Sequence, residues 1–533
     1  MKRMKTKGNL LAMTMLMLAS IAAYAGPAWR GAIPHVQPDG SRVQVKMHGD
    51  EYCHWLTDER GQQVELGKDG FYHAVPSWTA DEIQARRSSA MRQAGAANLR
   101  KVGTPNTHMP DRGIIILVEF PTVHFTTNTD SLVLALTQEG YTNNYGAVGS
   151  AEDYFATVSN GHYTPQFDVW GPYQLSKAPG YYAGSDGMTN GSAMAQEACS
   201  LAVADGKSFA PYAQSNYEVP FVFIIWAGTD QAMTQVSGDI WAHALSVNYT
   251  FGSYKIKKYA CCSEIWGNST IGFAPNGIGT FCHEFGHILG LPDYYTTDGL
   301  SNPRADSTLG YWNIMDYGSY LNQGWNPPLY SAYDRYFLGW ETPVLLKEAV
   351  NDTLPITGSQ TSGTTRVISP DGKMPSYSYN GWVYYIENRQ LVEWDSFLPG
   401  HGMIITKVNY NSSKWSSNKP NNTSPMLFDM IEAAGKVPYY GGSIYYGSPS
   451  DPFPGTNNVT SYAPYSQYPL SEINELEDGR VAFKFMGGKE PVTTAVEEAE
   501  QPAQQWCKRV VNGQVMIQHN NDYYTLTGEK ICR

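Results

Sequence analysis

The chain has 533 residues and a formal net charge of −12, from 49 Asp and Glu against 37 Lys and Arg. That length is too great for one ordinary core and implies two or more domains, while the acidity, with no basic cluster after the first residues, excludes nucleic acid as a partner. An apolar fraction of 42% with 51 Gly and 37 Tyr suits a folded, β-rich extracellular protein, not a disordered one.

Lys2, Arg3, Lys5 and Lys7 precede an apolar run from Leu10 to Ala19 and the small-x-small triplet Ala23-Tyr24-Ala25. This is the pattern of a secretory signal over residues 1–25; the run is too short for a membrane anchor. No later apolar run is long enough to span a bilayer.

Residues 26–108 read as a separate unit. Val43 to Met47 alternates, short segments follow around Tyr52 to Leu56 and Phe71 to Val75, and Gly61 and Gly70 mark turns. Asp81 to Leu99 reads as a polar helix and residues 105–110 as an exposed connector open to proteolysis. Between a signal and a catalytic region, such a unit is most simply a propeptide.

Residues 109–340 carry the chemistry. Ile114 to Phe120 and Phe221 to Trp226 are apolar, β-branched and aromatic runs, predicted as strands buried on both faces. Ser150-Ala151-Glu152-Asp153 opens a helix with an acidic capping box, and Gly161 closes it. Then comes Gly279-Thr280-Phe281-Cys282-His283-Glu284-Phe285-Gly286-His287-Ile288-Leu289-Gly290-Leu291-Pro292-Asp293. At about 100° per residue, Ile278, Phe281, Cys282, Phe285 and Leu289 share one helix face, and His283 and His287 fall nearly opposite. Histidines one turn apart can grip one zinc ion, with Glu284 beside the open position as base for an activated water. Gly290 lets the chain leave the helix, Pro292 prevents its resumption, and Asp293 arrives as a third, oxygen ligand. Downstream, Gly310-Tyr311-Trp312-Asn313-Ile314-Met315-Asp316-Tyr317-Gly318 places Met315 either as an apolar floor under the metal or as ordinary core filling. Tyr317 is a candidate catalytic residue whose hydroxyl steadies the oxyanion of a tetrahedral intermediate.

Residues 341–486 alternate short β segments (Trp382 to Ile386, Gly402 to Val408, Val481 to Phe485) with Gly, Pro and Asn clusters, suggesting a β-rich accessory domain. Ser450-Asp451-Pro452-Phe453-Pro454-Gly455 reads as a surface turn, with Asp451 as a candidate structural Ca²⁺ ligand the alternative. Residues 487–533 comprise a Pro-, Glu- and Ala-rich linker and a small hairpin, Val515 to Gln518 and Tyr523 to Leu526, turning at Asn520-Asn521. Seven cysteines cannot all pair internally. Cys507 and Cys532 can bridge in the tail, one of Cys261 and Cys262 can meet Cys199, and Cys282 reads as a buried hydrophobe.

The run from His283 to Tyr295, with Met315, closely resembles the M6 family of secreted zinc metalloproteases, the immune-inhibitor-A type, whose motif has the form HExGHxLGLPDxY. The likeness extends to Pro38-Asp39-Gly40, His48-Gly49-Asp50-Glu51, Val118 to Pro121, Trp312 to Gly318 and Glu387-Asn388-Arg389-Gln390. It implies an α+β fold: a metzincin-like zinc metalloprotease domain, with an N-terminal prosegment and a C-terminal β-rich accessory domain. It also implies His283 and His287 as Zn²⁺ ligands, Glu284 as general base and acid, Met315 in a Met-turn, and Asp293 where related enzymes carry a third histidine. Tyr317 occupies the position where astacin- and serralysin-like enzymes place a tyrosine near zinc. Asn512-Gly513-Gln514-Val515-Met516-Ile517 and Tyr524 to Ile531 resemble the C-terminal sorting signal of the Bacteroidetes type IX secretion system, though Cys532 departs from that pattern. Secretion machinery of the outer membrane would then be a partner, and the product would be secreted or held at the cell surface.

The expected function is that of a secreted zinc-dependent endopeptidase made as a zymogen and acting on protein or peptide substrates. The alternatives are a surface binding protein on a protease-like scaffold and a metal-dependent hydrolase of non-peptide substrates. For latency, Cys53 and Asp50 are the candidate prosegment groups to fill an open metal position.

Overall fold

The structure, a computed structural model, describes residues 26–29, 31–50, 53–93, 111–184, 186–296, 308–358, 363–435, 446–489, 507–511, 514–519, 522–525 and 529–531. The expected signal sequence, the connector at 105–110, Cys532 and the Asn520-Asn521 turn lie outside them. Residues up to Gly487 gather into one compact unit and Gly488–Arg533 into a second.

The first unit begins with an antiparallel meander: β1 (Ile33–Val36), β2 (Arg42–Asp50), β3 (Cys53–Thr57), β4 (Gln63–Leu66) and β5 (Tyr72–Ala74). Helix α1 (Ala80–Gln93) follows, one residue before its predicted start. Arg87 on α1 is buried and reaches Asp50 at the end of β2, with Nε 2.8 Å from Oδ2. This pair ties the helix to the meander.

The next sheet is mixed. Its strands are β6 (Arg112–Glu119), β7 (Gln166–Gln174), β8 (Glu218–Val219), β9 (Val222–Trp226), β10 (His243–Phe251) and β11 (Tyr254–Ser263), ordered β10-β11-β9-β6-β7 with β8 beside β11. Only β10 runs antiparallel to its neighbour. Every residue of β9, and Gly113–Val118 of β6, is buried. Side chains alternate across a strand, so burial at consecutive positions means that both faces are covered, as these apolar runs predict.

The covering comes from α2 (Thr129–Thr137), α3 (Ala151–Val158), α4 (Pro179–Ala183), α5 (Gly191–Ala204), α6 (Gln231–Thr234) and α7 (Gly279–Leu289), with the small ribbon β12 (Ile265–Asn268) and β13 (Gly272–Pro275) before α7. Helix α3 starts as expected: Ser150 Oγ accepts from Asp153 N and Asp153 Oδ2 accepts from Ser150 N. It ends at Val158, ahead of Gly161. Cys199, Cys261, Cys262 and Cys282 are all buried free thiols, which corrects the pairing expected for Cys199. Cys261 and Cys262 are consecutive on β11 and so face opposite sides of the sheet; the Cys261 thiol is turned to the His243 carbonyl at 3.4 Å.

After α8 (Ala332–Phe337) the chain builds the second half of this unit. A five-stranded sheet has the order β14-β16-β17-β18-β19, from β14 (Val344–Leu345), β16 (Arg366–Ile368), β17 (Trp382–Arg389), β18 (Gly402–Asn409) and β19 (Phe428–Ile431). A three-stranded sheet joins β15 (Val350–Leu354), β21 (Val481–Phe485) and β20 (Leu470–Glu475), and the short helix α9 (Ser412–Ser416) follows β18. Val367, Val383, Tyr385, Val408, Trp415 and Phe428 belong to the same continuous core as α7 and the mixed sheet. Buried charges reinforce the join. Arg335 of α8 bonds Glu341 at 2.9 Å and Glu387 of β17 at 3.0 Å, while Arg389 of β17 bonds Asp395 and the Leu329 carbonyl.

The second unit is a four-stranded antiparallel sheet, β22 (Cys507–Val511), β23 (Gln514–His519), β24 (Asp522–Tyr524) and β25 (Lys530–Ile531). The hairpin of β23 and β24 lies where the sequence predicts it, and β22 and β25 widen it. Arg335→Ala would leave the buried Glu341 carboxylate without its cation and Glu387 with Arg389 alone, an effect of about 3–5 kcal/mol. Urea unfolding followed by tyrosine and tryptophan fluorescence should therefore show a large fall in midpoint for that variant.

Candidate metal centre

Helix α7 carries the site and is buried along its whole length. Its apolar side is fixed by aromatic packing: Phe281 lies 4.4 Å from Phe223 between ring centroids, and Phe285 lies 5.0 Å from Phe221 and 4.8 Å from Phe155. His283 and His287 project from the other side, with ring centroids 4.8 Å apart. The helix ends at Gly290 with φ of 104°, a backbone state that side chains with a Cβ resist. Gly290 and Leu291 amides both return to the Gly286 carbonyl, and the turn brings Asp293 back to the histidines.

One acceptor from each of His283, His287 and Asp293 lies within 4.8 Å of the others, the single such group of three among the described residues. Backbone bonds fix the ring states. His283 Nδ1 lies 2.7 Å from the Ile314 carbonyl and His287 Nδ1 lies 2.8 Å from the Leu291 carbonyl. A carbonyl only accepts, so both Nδ1 atoms carry the proton and each Nε2 of a neutral ring presents a lone pair. Those lone pairs meet Asp293 Oδ1 at 3.2 and 3.3 Å. His283 Nε2 and Asp293 Oδ1, both buried, make no hydrogen bond. Acceptor facing acceptor in a buried site repels unless a cation lies between them. Two imidazole nitrogens and a carboxylate oxygen are the donor set of a divalent transition metal with positions left for solvent or substrate.

Burial pushes the His287 ring toward its neutral form. Burial alone would raise Asp293, but the histidines outweigh it and hold the carboxyl below the usual carboxylate range. Glu284, fully buried, is pushed well above that range by desolvation and then by the Asp293 charge. Its Oε1 accepts from Gly26 N at 2.8 Å, and its Oε2 has no hydrogen bond.

Three supports hold these side chains. Met315 is fully buried, and a Cβ placed on Gly286 would come 2.5 Å from its sulfur, so Met315 packs on the helix between the histidine positions. Tyr294 N donates to the Met315 carbonyl, and Met315 N to Asn313 Oδ1, locking the Asp293 loop to this turn. Asn418, which follows α9, bonds Asp293 twice: its Oδ1 accepts from Asp293 N at 2.7 Å and its Nδ2 donates to Asp293 Oδ2. Tyr317 is buried in an aromatic group with Tyr295, Tyr320 and Tyr446, at 6.4, 6.5 and 5.5 Å between centroids.

Sequence reading missed Asn418, Tyr320 and Gly26, which lie far from the motif along the chain. Of the latency candidates, Asp50 is bonded by Arg87 and by Cys53 N. The Cys53 thiol is pushed up to about 12, by burial and then by Asp50, which keeps it protonated near neutral pH. Asp451 is buried, against the surface turn expected, and its Oδ2 accepts from Trp312 Nε1 and Ser448 N.

Residues 106–342 match the family described as immune inhibitor A peptidase M6, catalytic domain. The chain is 23% identical over 431 residues to a protein of Arthroderma benhamiae named "Putative secreted metallopeptidase", covering 64% of this chain and 61% of that one. It is 25% identical over 280 residues to the pre-pro-metalloprotease PrtV of Vibrio cholerae, covering 43% of this chain and 29% of that one. The chain thus spans about three fifths of the first relative and under a third of the second. These matches support an M6 metallopeptidase.

Removing the Asn418 contact should loosen the Asp293 carboxylate. Asn418→Ala should weaken metal affinity about 10- to 100-fold in chelator competition, the usual effect of losing a ligand's supporting hydrogen bond. Gly286→Ala should destabilise the fold by about 1–3 kcal/mol, because the methyl overlaps the Met315 sulfur; thermal unfolding of the metal-free protein reads this directly.

Proposed function

We propose that this chain is a zinc-dependent endopeptidase, exported and made as a zymogen, that hydrolyses peptide bonds of extracellular proteins. The observation that carries the reading is the buried convergence of His283 Nε2, His287 Nε2 and Asp293 Oδ1, acceptor against acceptor, with Glu284 one residue from the first ligand. Zinc held by those three atoms would supply Lewis-acid polarisation of the scissile carbonyl and a more acidic water.

The chain's own groups do the rest. Glu284 takes a proton from the attacking water as its oxygen bonds to the carbonyl carbon, and returns that proton to the nitrogen as the C–N bond breaks. Its burial and raised proton affinity suit both halves of this exchange. Tyr317 we assign to the developing oxyanion. Asn313, Met315 and Asn418 hold the ligand set in place.

The N-terminal signal pattern and the relatives' printed names, secreted metallopeptidase and pre-pro-metalloprotease, support export and a prosegment. The residue 26–108 unit would be that prosegment, and the C-terminal unit would address the protein to outer-membrane secretion machinery. Glu284→Ala should keep its zinc yet lose about 10²–10⁴-fold in peptide hydrolysis, whereas His287→Ala should lose the metal as well. Metal analysis beside casein and quenched-peptide assays checks both; metal-free protein that cleaves casein at the normal rate would contradict the reading.

A further inference from the structure

Helix α8 opens with a capping box of the same form as that of α3, but the two aspartates reach different things. In each box the serine hydroxyl accepts from the aspartate amide and the aspartate side chain accepts from the serine amide, Ser150 with Asp153 and Ser331 with Asp334. Asp153 is partly exposed, and its Oδ2 also accepts from the nearby Gly140 amide. Asp334 is fully buried and takes two donors from earlier segments of the chain. Its Oδ1 accepts from the Tyr294 hydroxyl at 2.6 Å. Its Oδ2 accepts from Asn313 Nδ2 at 3.2 Å, beside the Ser331 hydroxyl at 2.7 Å. A helix cap requires neither Tyr294 nor Asn313.

Both of those residues lead to the metal centre. Tyr294 directly follows Asp293, and its amide donates to the Met315 carbonyl. Asn313 Oδ1 accepts from Met315 N at 2.7 Å, and the Asn313 carbonyl takes the Asp316 and Gly318 amides at 3.1 and 3.0 Å. These bonds shape the turn that holds Ile314, whose carbonyl receives the His283 Nδ1 proton. One carboxylate therefore fastens the loop carrying Asp293 and the turn orienting His283. A carboxylate suits such a junction because it only accepts, from two oxygens at once. Burial pushes the Asp334 carboxyl up to about 6, which leaves it ionised at neutral pH. Its partners named here are neutral donors, and a charge buried among them costs more than a neutral side chain would.

We propose that Asp334 is a positioning residue of the metal centre, holding Asp293 through Tyr294 and His283 through Asn313 in the arrangement that accepts the ion. The proposal rests on the three-residue metal site and not on peptide hydrolysis. The junction also reaches the β-rich half, because the next residue of α8, Arg335, bonds Glu387 of β17 at 3.0 Å. Tyr294 is held from its other end by Asn421, whose Nδ2 donates to the Tyr294 carbonyl at 2.7 Å. Loss of Asp334 therefore frees the hydroxyl end of Tyr294 while its main chain stays tethered. The expected result is a loosened metal site within a folded loop.

The test loads the full chain with zinc or cobalt, reading affinity by chelator competition and site geometry by the cobalt visible spectrum. Asp334→Ala should weaken zinc about 10- to 100-fold and shift the cobalt bands, and Tyr294→Phe, which cuts one arm, should weaken it about tenfold. The double variant should bind within about threefold of Asp334→Ala, because the second change has no bond left to remove. Arg366→Met breaks the ion pair with Asp352 in the β-rich half and serves as the control. It should lower the urea midpoint and leave zinc affinity and the cobalt spectrum as in the wild type. Unchanged zinc affinity in Asp334→Ala, fully additive losses in the double variant, or an equal loss in Arg366→Met would overturn the proposal. Should Asp334→Ala fail to fold, Asp334→Asn takes its place in the same cycle; it keeps one acceptor oxygen and should weaken zinc about tenfold. Zinc weakened by Asp334→Ala in a chain that cleaves no peptide would leave the proposal standing and remove the peptidase reading. Zinc-dependent cleavage with an affinity indifferent to Asp334 would do the reverse.

Discussion

Three buried acceptor atoms aimed at one another are the constraint on which this structure depends. Neither imidazole, when neutral, can relieve the conflict with its own proton, because His283 and His287 have committed their Nδ1–H groups to the Ile314 and Leu291 carbonyls. A divalent cation held there would resolve the repulsion and become part of the folded core. The surroundings make sense as the means of holding such a conflict in place before the ion arrives. Aromatic contacts of Phe281 and Phe285 clamp the helix to the sheet, Met315 fills the space at Gly286, and Asn418 grips both the amide and the carboxylate of Asp293.

This arrangement also explains why the β-rich C-terminal half is welded to the mixed sheet. Asn418 lies between β18 and β19, so the orientation of Asp293 depends on a sheet more than a hundred residues downstream. Asn421 adds a bond to the Tyr294 carbonyl from the same loop. A hinge at this boundary would let Asp293 turn away, and the buried Arg335–Glu387 and Arg389–Asp395 pairs oppose one.

Much of the site was legible in the sequence because it is local. Two histidines at helical spacing, a glycine exit and Asp293 ten positions on are fixed by one helix and one turn, and the apolar face predicted for α7 is the one that packs. The strands β6 and β9 were legible for the same reason, as unbroken apolar runs. What escaped depends on contacts between distant residues. Nothing about Asn418 or Tyr320 alone distinguishes it from any surface polar residue, and Gly26 reads only as the residue after a small-x-small triplet. The cysteines misled because counting thiols ignores strand geometry, which turns Cys261 and Cys262 to opposite faces. Asp451 looked like a surface turn because Ser-Asp-Pro is a turn pattern; the partner that buries it, Trp312, lies 139 positions away.

The central claim is that one metal ion binds to two imidazoles and one carboxylate. X-ray absorption of the zinc-loaded protein measures that ligand set directly. The account predicts a first shell of nitrogen and oxygen at about 2.0–2.1 Å with outer-shell scattering from two imidazoles, falling to one in His283→Ala. A sulfur shell at about 2.3 Å, or a spectrum unchanged by that substitution, would contradict it.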